Sequence, residues 1–267
     1  MPTLDVTACA ALVDELTKIA ANAAETILDL AAKADIRTKA DGSPVTAADE
    51  AAEAIIRDGL RRLAPAVPII SEEHAAREWP KAIGRGSYFL VDPLDGTREF
   101  IAGRNEYTIN IALVTDGTPM LGVICAPALG DFWRGIVGGL ADRISGAVTE
   151  RSTPIHARVR PESEAVVMVS RSHLDAPTQS YVEALPRPKL VRCGSSVKFC
   201  RLAEGSADLY PRLGPTHDWD VAAGHAILTA AGGRVCTPDG KPLVYGTPEL
   251  LIPGFIASGD PATPITG

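Results

Sequence analysis

Two aspartates separated by two residues form the densest chemical signal in this sequence. Asp92 and Asp95 directly follow a short apolar run, and Pro93 and Gly96 lie beside them. Pro93 fixes its backbone φ angle and Gly96 permits a sharp turn, so both carboxylates can face one point. Like charges held that close in a partly buried pocket repel each other, and without a cation one of them takes up a proton. The pair therefore predicts a site for a hard divalent cation.

Other oxygen donors belong to the same turn or are brought to it by a neighbouring element. The carbonyl of Leu94 and the hydroxyl of Thr97 can converge on the point that the two aspartates face. Glu72 and Glu73 end another short apolar run, and adjacent strands would bring Glu72 beside Asp92. Taken alone, however, two successive glutamates are more often a solvated loop than a set of ligands.

Two further aspartates have an ordinary structural explanation beside a functional one. Asp220 opens a helix in the segment 217–220, where the helix dipole favours acidic residues. Asp49 follows Thr46 by three residues and suits the far side of a capping box. Each of these residues, taken singly, is explained by its helix end.

The elements that must position these residues make the first half a mixture of α and β. Apolar residues at steps of three and four predict a helix from Leu4 to about Lys33 and a second that begins at Thr46 and ends before Pro65. Short strands are expected at residues 67–70 and 88–91. Three β-rich runs between Tyr107 and Val137 are separated by turn residues at 116–117 and 129–131, which predicts an antiparallel meander.

The second half is predicted to alternate strands and helices, as an α/β layer does. The expected strands are at residues 165–169, 189–192, 207–210 and 234–236, and the expected helices at 176–185, 196–204 and 219–231. A boundary near residue 150 separates the two patterns. The tail after Pro253 contains Pro and Gly and is expected to fray.

Composition narrows the class of protein. The chain has 26 Lys and Arg against 33 Asp and Glu, a net charge of −7 that disfavours a nucleic-acid partner. No segment approaches the roughly 18 uninterrupted apolar residues of a membrane helix, and the N-terminus lacks the pattern of a secretory signal. Five scattered cysteines without a C-x-x-C pair fit a reducing cytoplasm. Loose attachment to the inner face of a membrane stays open, although no basic amphipathic segment supports it.

Three of these segments together carry a resemblance to a known superfamily. Glu72-Glu73, the D-P-L-D-G-T at residues 92–97 and the W-D-x-A-A-G at residues 219–224 resemble, in order and separation, the lithium-sensitive, magnesium-dependent phosphatases. These include inositol monophosphatases, fructose-1,6-bisphosphatases and bisphosphate nucleotidases. The resemblance extends from Lys39 to Tyr245. It implies an α+β fold, a layered α-β-α-β-α sandwich of the sugar-phosphatase (inositol monophosphatase) type.

Within that superfamily the sequence resembles most closely the bacterial 3′(2′),5′-bisphosphate nucleotidases of the CysQ type. Five segments support this branch: residues 41–49, 92–100, 170–173, 194–200 and 210–215. The first two are largely shared by the superfamily, whereas the last three indicate the nucleotidases. The resemblance implies that residues 1–150 form an α+β subdomain with most metal ligands. It implies that residues 151–267 form an α/β subdomain that supplies Asp220 and the nucleotide-binding elements.

The resemblance also implies roles for individual residues. The metal ligands, for two or three Mg²⁺ ions, are Glu72, Asp92, Asp95, Asp220 and the carbonyl of Leu94. All are oxygen donors, which favours Mg²⁺ over zinc or copper. Thr97 and Asp49 form the catalytic pair that orients water, with Glu73 in support. The implied substrate contacts are Gly96, Thr97, Gly194, Ser195, Ser196, Lys198, Arg212 and Asp220.

The substrate contacts have ordinary alternatives. Residues 194–196 at the start of a helix offer backbone donors to a 5′-phosphate, with Lys198 nearby as a cation. Lys198 and Arg212 are equally explained as solvated surface charges. His173 is a weaker candidate, since it also fits a structural histidine.

The implied reaction is hydrolysis of the 3′-phosphate of adenosine 3′,5′-bisphosphate (PAP) to AMP and phosphate. The sulfated analogue PAPS is a further candidate substrate, which would place the enzyme in sulfur metabolism, and lithium is expected to inhibit. One alternative is an inositol monophosphatase or other sugar phosphatase with the same metal core. Another is a non-catalytic regulator that binds nucleotide or magnesium. The oligomeric state is left open.

Overall fold

The computed structural model describes residues 6–31, 36–38, 42, 44–80, 86–162 and 164–264. The positions Leu4, Lys33, Lys39, Asp41 and Ser43, which the sequence patterns include, lie outside the described residues. The described helices are α1 (Val6–Leu30), α2 (Ala47–Leu63), α3 (Glu72–Arg77), α4 (Thr97–Ile101), α5 (Ala176–Glu183), α6 (Val197–Ala203) and α7 (Asp218–Ala230).

The described strands form two large sheets and two short ribbons. In chain order they are β1 (Ile36–Thr38), β2 (Pro44–Thr46), β3 (Ile69–Ser71), β4 (Ser87–Asp95), β5 (Thr108–Thr115), β6 (Thr118–Ala126), β7 (Asp131–Ile136), β8 (Ala141–Ser145), β9 (Thr153–Pro154), β10 (Ala165–Ser170), β11 (Pro188–Cys193), β12 (Leu209–Arg212), β13 (Thr216–His217), β14 (Arg234–Cys236), β15 (Leu251–Ile252) and β16 (Phe255–Ser258).

The first sheet has the order β3-β4-β5-β6-β7-β8-β9, with only β3 and β4 parallel. Asp116 and Gly117 join β5 to β6 with φ angles of 49° and 78°, the left-handed pair that a two-residue hairpin turn requires. The predicted meander is confirmed. The helices predicted from Leu4 and from Thr46 are confirmed as well, by α1 within the described residues and by α2, which Thr46 caps.

Both faces of the first sheet are covered, which explains the nearly continuous apolar runs of its strands. Phe89 and Val91 pack with α1 and α2, whereas Leu90 packs on the opposite face with α6 and α7. The second sheet, β11-β10-β12-β16-β14, covers the other side of α6 and α7, and α5 packs on its outer face. The layers are therefore α, β, α, β and α, and the predicted fold class is confirmed.

The C-terminal segment differs from the expectation. Residues after Pro253 do not fray as predicted, because Phe255–Ser258 forms β16 between β12 and β14, and all four residues are buried. The division at residue 150 stays a prediction. The first sheet continues to β9, and α7 packs on that sheet, so the two halves share one core.

Two further findings concern the helices and the cysteines. None of the described helices combines the length and the apolar character needed to cross a bilayer. All five cysteines are buried.

At two positions in the first sheet, helix α7 lies so close that only glycine fits. A Cβ atom on Gly122 would lie 2.3 Å from the carbonyl oxygen of Ala223, and one on Gly135 would lie 2.5 Å from the Cα of Ile227. Since the neighbouring atoms are backbone, they cannot turn aside as a flexible side chain does. The glycines thus set the distance between α7 and the sheet.

Gly122→Ala is expected to lower the free energy of unfolding by about 3 kcal/mol, because α7 must shift. Gly139→Ala is the matched control, since its Cβ would meet its nearest atom at 3.6 Å. That control should change stability by less than about 0.5 kcal/mol. Urea unfolding measures both variants, and equal midpoints would contradict the close approach.

His225 in α7 makes stability depend on pH. Its Nδ1 lies 2.9 Å from the hydroxyl oxygen of Tyr245, and burial lowers the pKa of its imidazole to about 4. The unfolded chain takes up this proton near pH 6.5, so between these values the unfolded state binds more protons than the native state. Stability is therefore complete above about pH 6.5 and falls as the pH decreases toward the folded pKa.

We expect the free energy of unfolding of the wild type to fall by about 2 kcal/mol relative to His225→Gln between pH 7.5 and pH 4.5. The glutamine keeps a polar partner for Tyr245 and cannot be protonated. Urea titrations at several pH values measure the difference. Parallel curves for the two proteins would refute the contribution of His225.

Candidate active site

The parallel pair β3 and β4 brings two acidic residues side by side. Ser71 and Val91 are register partners, so the residues that follow them, Glu72 at the start of α3 and Asp92 in β4, come next to each other. Asp92 is buried, and its Oδ1 accepts a hydrogen bond of 3.0 Å from the N–H of Leu94. This local bond bends the chain between Asp92 and Asp95, where the pairing of β4 with β5 also shifts register.

Gly96 closes the turn that separates Asp95 from Thr97. Its φ angle is 94°, and a Cβ there would lie 3.0 Å from the carbonyl oxygen of Glu106 and 3.4 Å from the Cβ of Ser195. A side chain at this position would be strained by the positive φ angle and by these close contacts. The glycine thus lets the segment that contains Ser195 close over the turn.

Asp49 uses its two carboxylate oxygens for two purposes. Its Oδ2 accepts hydrogen bonds from the N–H of Thr46 at 2.8 Å and the hydroxyl of Thr46 at 2.6 Å, which is the capping interaction expected for α2. Its Oδ1 lies 3.1 Å from the hydroxyl oxygen of Thr97, which is also 3.2 Å from the carbonyl oxygen of Leu94. Helix capping therefore explains only half of the role of Asp49.

Ser196 joins the two halves of the chain beneath the site. Its hydroxyl oxygen lies 2.8 Å from Oδ2 of Asp95 and 3.0 Å from the carbonyl oxygen of Asp220, and it accepts a hydrogen bond of 2.9 Å from Nδ2 of Asn110. Ser196 is itself buried. Asp95 is consequently fixed by residues that are far away in the sequence.

Asp220 combines a helix-end role with a place in the site. Its Oδ2 accepts hydrogen bonds from the Thr216 hydroxyl and, at 3.0 Å, from the His217 N–H at the start of α7. Asp220 also lines the cavity described below. The helix-end explanation is thus correct for Asp220 but incomplete.

Burial and mutual repulsion raise the pKa values of the carboxylates of Asp92 and Asp95. Burial raises the pKa of Asp92 well above its usual range, and further increases come from the carboxylates of Glu72, Asp95 and Asp220. Burial and then the charge of Asp220 raise the pKa of Asp95, whereas Lys198 opposes that rise. The cluster therefore holds more negative charge than the protein alone compensates.

A cavity of about 170 Å³ opens above this cluster, and its lining contains both acidic and basic side chains. We call Glu72, Asp95 and Asp220 its acidic side, and Arg98, His173, Lys198 and Arg212 its basic side. Glu99 also lines the cavity; it is buried and accepts a hydrogen bond from the hydroxyl of Ser172. Gly96 and Thr97 lie in the lining as well.

Two of the basic residues, Lys198 and Arg212, are held in place rather than free in solvent. Lys198 is buried, its Nζ donates to the carbonyl oxygens of Cys193 and Ser195, and it lies 5.0 Å from the ring centre of Tyr210. Arg212 is half-buried and donates to the carbonyl oxygen of Pro215 at 3.2 Å. The explanation of these two cations as solvated surface charges is wrong.

Two groups of the expected cradle at residues 194–196 are engaged within the protein. The N–H of Gly194 donates to Glu106 at 2.8 Å, and the Ser196 hydroxyl lies 2.8 Å from Oδ2 of Asp95. The role of this segment's backbone N–H groups in binding phosphate stays a prediction. Ser195 has a φ angle of 47°, and its carbonyl accepts from Lys198. Since α6 has only seven residues, its dipole adds little.

The remaining acids show how far the cluster is organised as a metal site. Glu72 and Glu73 begin α3 rather than a loop, and Glu73 is buried and does not line the cavity. Among the described residues, no three His, Cys, Asp or Glu side chains are grouped so that they could hold a metal ion. Oxygens of Asp92, Asp95 and Asp220 are instead engaged by Leu94, Ser196 and Thr216. The donor chemistry fits Mg²⁺, because all donors are oxygens and a cation would relieve their repulsion.

The structure adds residues that the sequence patterns did not single out. Arg98 faces the cavity, although it directly follows Thr97 in the strongest motif. Asn110 is the register partner of Asp92 and supports Ser196. Only the strand pairing could have pointed to Asn110.

Known proteins resemble this chain over nearly its whole length. The model of the inositol monophosphatase family matches residues 8–260. The 3′(2′),5′-bisphosphate nucleotidase CysQ of Escherichia coli O157:H7 is 43% identical over 256 residues, which cover 92% of this chain and 99% of the relative. The crystal structure of CysQ from Bacteroides thetaiotaomicron, a bacterial member of the same family, is 34% identical, with a TM-score of 0.78 and coverage of 93% and 97%.

A more distant structure has the same fold. Inositol monophosphatase from Anabaena (Nostoc) sp. PCC 7120 is 25% identical, with a TM-score of 0.74 and coverage of 96% of this chain and 92% of that one. The family match and the extent of the similarity lead to one conclusion. The chain belongs to the inositol monophosphatase family.

Proposed function

We propose that this protein is a Mg²⁺-dependent 3′(2′),5′-bisphosphate nucleotidase that hydrolyses the 3′-phosphate of PAP to AMP and phosphate, with PAPS as a second substrate. The observation that carries the proposal is the two-sided cavity. A nucleotide with two phosphates can present one to the acidic, metal-binding side and the other to the basic side. The name of the 43% identical relative supports the same activity.

The metal ligands in this proposal are Glu72, Asp92, Asp95, Asp220 and the carbonyl of Leu94. Members of the family depend on Mg²⁺. When bound, Mg²⁺ lowers the pKa of a coordinated water and neutralises charge on the phosphoryl group. Ser196 keeps Asp95 oriented for this role, and the turn at Gly96 keeps it beside Thr97.

The nucleophilic water is oriented by Thr97 and Asp49. A threonine hydroxyl that donates its proton to Asp49 Oδ1 turns its lone pairs outward, where they can accept a hydrogen bond from a water. Because Thr46 holds the other oxygen of Asp49, the carboxylate cannot rotate away from Thr97. Glu73, at the start of α3, has a supporting role in orienting this water.

The second phosphate is bound by the basic side of the cavity. Lys198 and Arg212 provide fixed positive charges, and burial is the largest influence on the pKa of His173, lowering it together with Arg98 and Arg212. His173 is therefore neutral at pH 7 and adds hydrogen bonding rather than charge. The substrate contacts that we propose in the lining are Gly96, Thr97, Gly194, Ser195, Lys198, Arg212 and Asp220. Ser196 was expected to contact substrate as well, but in this proposal it orients Asp95 instead.

A phosphate-release assay with PAP, PAPS and inositol 1-phosphate, each with and without Mg²⁺, tests the proposal. We expect kcat/KM for PAP to exceed that for inositol 1-phosphate by about 100-fold or more, since only PAP can use both sides of the cavity. Arg212→Met should reduce this ratio by about tenfold. The ratio is not changed by partial loss of folded enzyme, so it reports selectivity alone.

Each alternative has its own outcome in this assay. Comparable rates on the three substrates would indicate a general sugar phosphatase with the same metal core. Tight binding of PAP without turnover would indicate a regulator. A reducing cytoplasm, which we propose as the location, fits the five buried cysteines.

A further inference from the structure

A second, larger cleft lies behind the segment that closes the active site. Its volume is about 680 Å³, within the range of small-molecule sites, and it is bordered by residues 103–106, by β10 and β11, and by α6. Among the residues that the structure describes, none lines both cavities. Residues 194–196 line the active-site cavity, whereas Cys193 and Val197 line the cleft, so one short segment separates them.

The lining of the cleft is strongly basic in an acidic protein. Its charged residues, within the described part of the chain, are one glutamate, Glu106, and four arginines, Arg104, Arg171, Arg192 and Arg201. The lining thus has three net positive charges, while the whole chain has a net charge of −7. A concave surface of one sign concentrates ligands of the opposite sign.

Two of the arginines are available to a ligand. Arg171 pairs with Glu106 at 2.7 Å, and Arg201 is engaged by Glu204 at 2.6 Å. Arg104 and Arg192 are exposed, and among the described residues neither forms a salt bridge. Guanidinium groups bind phosphate through two parallel hydrogen bonds, which makes this pair a suitable phosphate ligand set.

Part of the rest of the cleft is apolar. Its wall includes Val166 and Met168 from β10, Val191 from β11, Val197 from α6, and Leu129. Leu129 is 37% exposed, so part of this apolar wall is open to solvent. Such a wall would hold the body of an organic ligand while the arginines hold its charge.

We propose that this cleft is a second, non-catalytic binding site for a small organic phosphate, with the phosphate on Arg104 and Arg192 and the apolar body against the valines of β10 and β11. Glu106 links this site to the segment that lines the active-site cavity. Glu106 accepts hydrogen bonds from Arg171 on the cleft side and from the Gly194 N–H on the active-site side. The proposal does not depend on the substrate of the active site.

Calorimetry with ADP as the probe, on the full chain in EDTA, tests the site. Without divalent cations the acidic side of the active-site cavity repels phosphate, so binding there is disfavoured. We expect the wild type to bind one ADP, and Arg104→Ala/Arg192→Ala to weaken that binding by about tenfold or more. Adenosine, which lacks phosphate, should bind at least about tenfold more weakly than ADP.

Two control variants distinguish binding in the cleft from general charge attraction and from binding in the active-site cavity. Arg62→Ala/Arg151→Ala removes the same charge from exposed positions elsewhere and should bind ADP as the wild type does. Arg212→Met alters the active-site cavity and should leave binding unchanged. No ADP binding by the wild type, equal binding by Arg104→Ala/Arg192→Ala, or loss of binding in Arg212→Met would each overturn the proposal. Thermal unfolding checks that all three variants are folded.

Discussion

Asp92→Asn is expected to abolish turnover and, at the same time, to make the metal-free protein more stable. Asparagine has the same shape and can still accept the hydrogen bond from the Leu94 N–H. It removes one buried negative charge from a cluster in which Glu72, Asp95 and Asp220 repel it. The charge that is needed to bind a cation therefore destabilises the folded protein when no cation is present.

The expected loss in kcat is about 1000-fold or more, the size associated with removing a metal's stabilisation of phosphoryl charge. The free energy of unfolding in EDTA should rise by about 2 kcal/mol, because a buried carboxylate without a cation is replaced by a neutral group. Phosphate release and urea unfolding measure the two effects. A variant that loses activity and also loses stability would contradict this account of Asp92.

Asp142→Asn provides the matched control. Asp142 is also a buried aspartate, but Arg134 binds it through two hydrogen bonds, with Nε at 2.7 Å from Oδ1. Removing this charge leaves a buried guanidinium with an incomplete partner, so stability should fall by about 3 kcal/mol. Since Asp142 lies in β8, away from the cavity lining, turnover should be unchanged. The same substitution is thus expected to have opposite effects at the two positions.

Thr97→Val should lower kcat by about 100-fold to 1000-fold while the fold is retained, since valine fills the same volume without the hydroxyl. Thr97→Ser keeps the hydroxyl beside Asp49 and should stay within about tenfold of the wild type. Steady-state assays with PAP measure both variants. Equal activity of the valine and serine variants would refute the role of the hydroxyl.

The pairing of Thr97 with Asp49 is tested by a double-mutant cycle. If the two residues orient one water as a unit, Asp49→Asn should cost about as much as Thr97→Val, and the double variant should cost little more than either. If the two residues acted independently, the loss in kcat of the double variant would instead be the product of the two single losses. Asp49→Asn also weakens the cap of α2, so its stability is measured separately by urea unfolding.

The local features of this protein were predictable from neighbouring residues. The stripes of α1 and α2, the hairpin at Asp116-Gly117 and the turn at Gly96 all depend on residues that are close in the chain. The same holds for the acids at the ends of β3 and β4. In each case periodicity or the allowed φ angle of one residue is sufficient to predict the element.

The second half of the chain was less predictable where pairing is long-range. Phe255–Ser258 resembles a fraying tail by composition, yet it lies between β12 and β14 because its two faces meet cores on both sides. The short helices α3 and α4 have too few residues for a periodic signal. The division at residue 150 likewise stays a prediction, since α7 joins the two halves.

The sequence by itself determined which acids could meet, because each follows an apolar strand or opens a helix. Only the tertiary structure decided what holds them and what faces them. Ser196 turned out to fix Asp95, Lys198 turned out to be buried, and four arginines gathered in a separate cleft. The physical reason is that burial and charge compensation depend on residues a hundred positions apart, about which a local pattern contains no information.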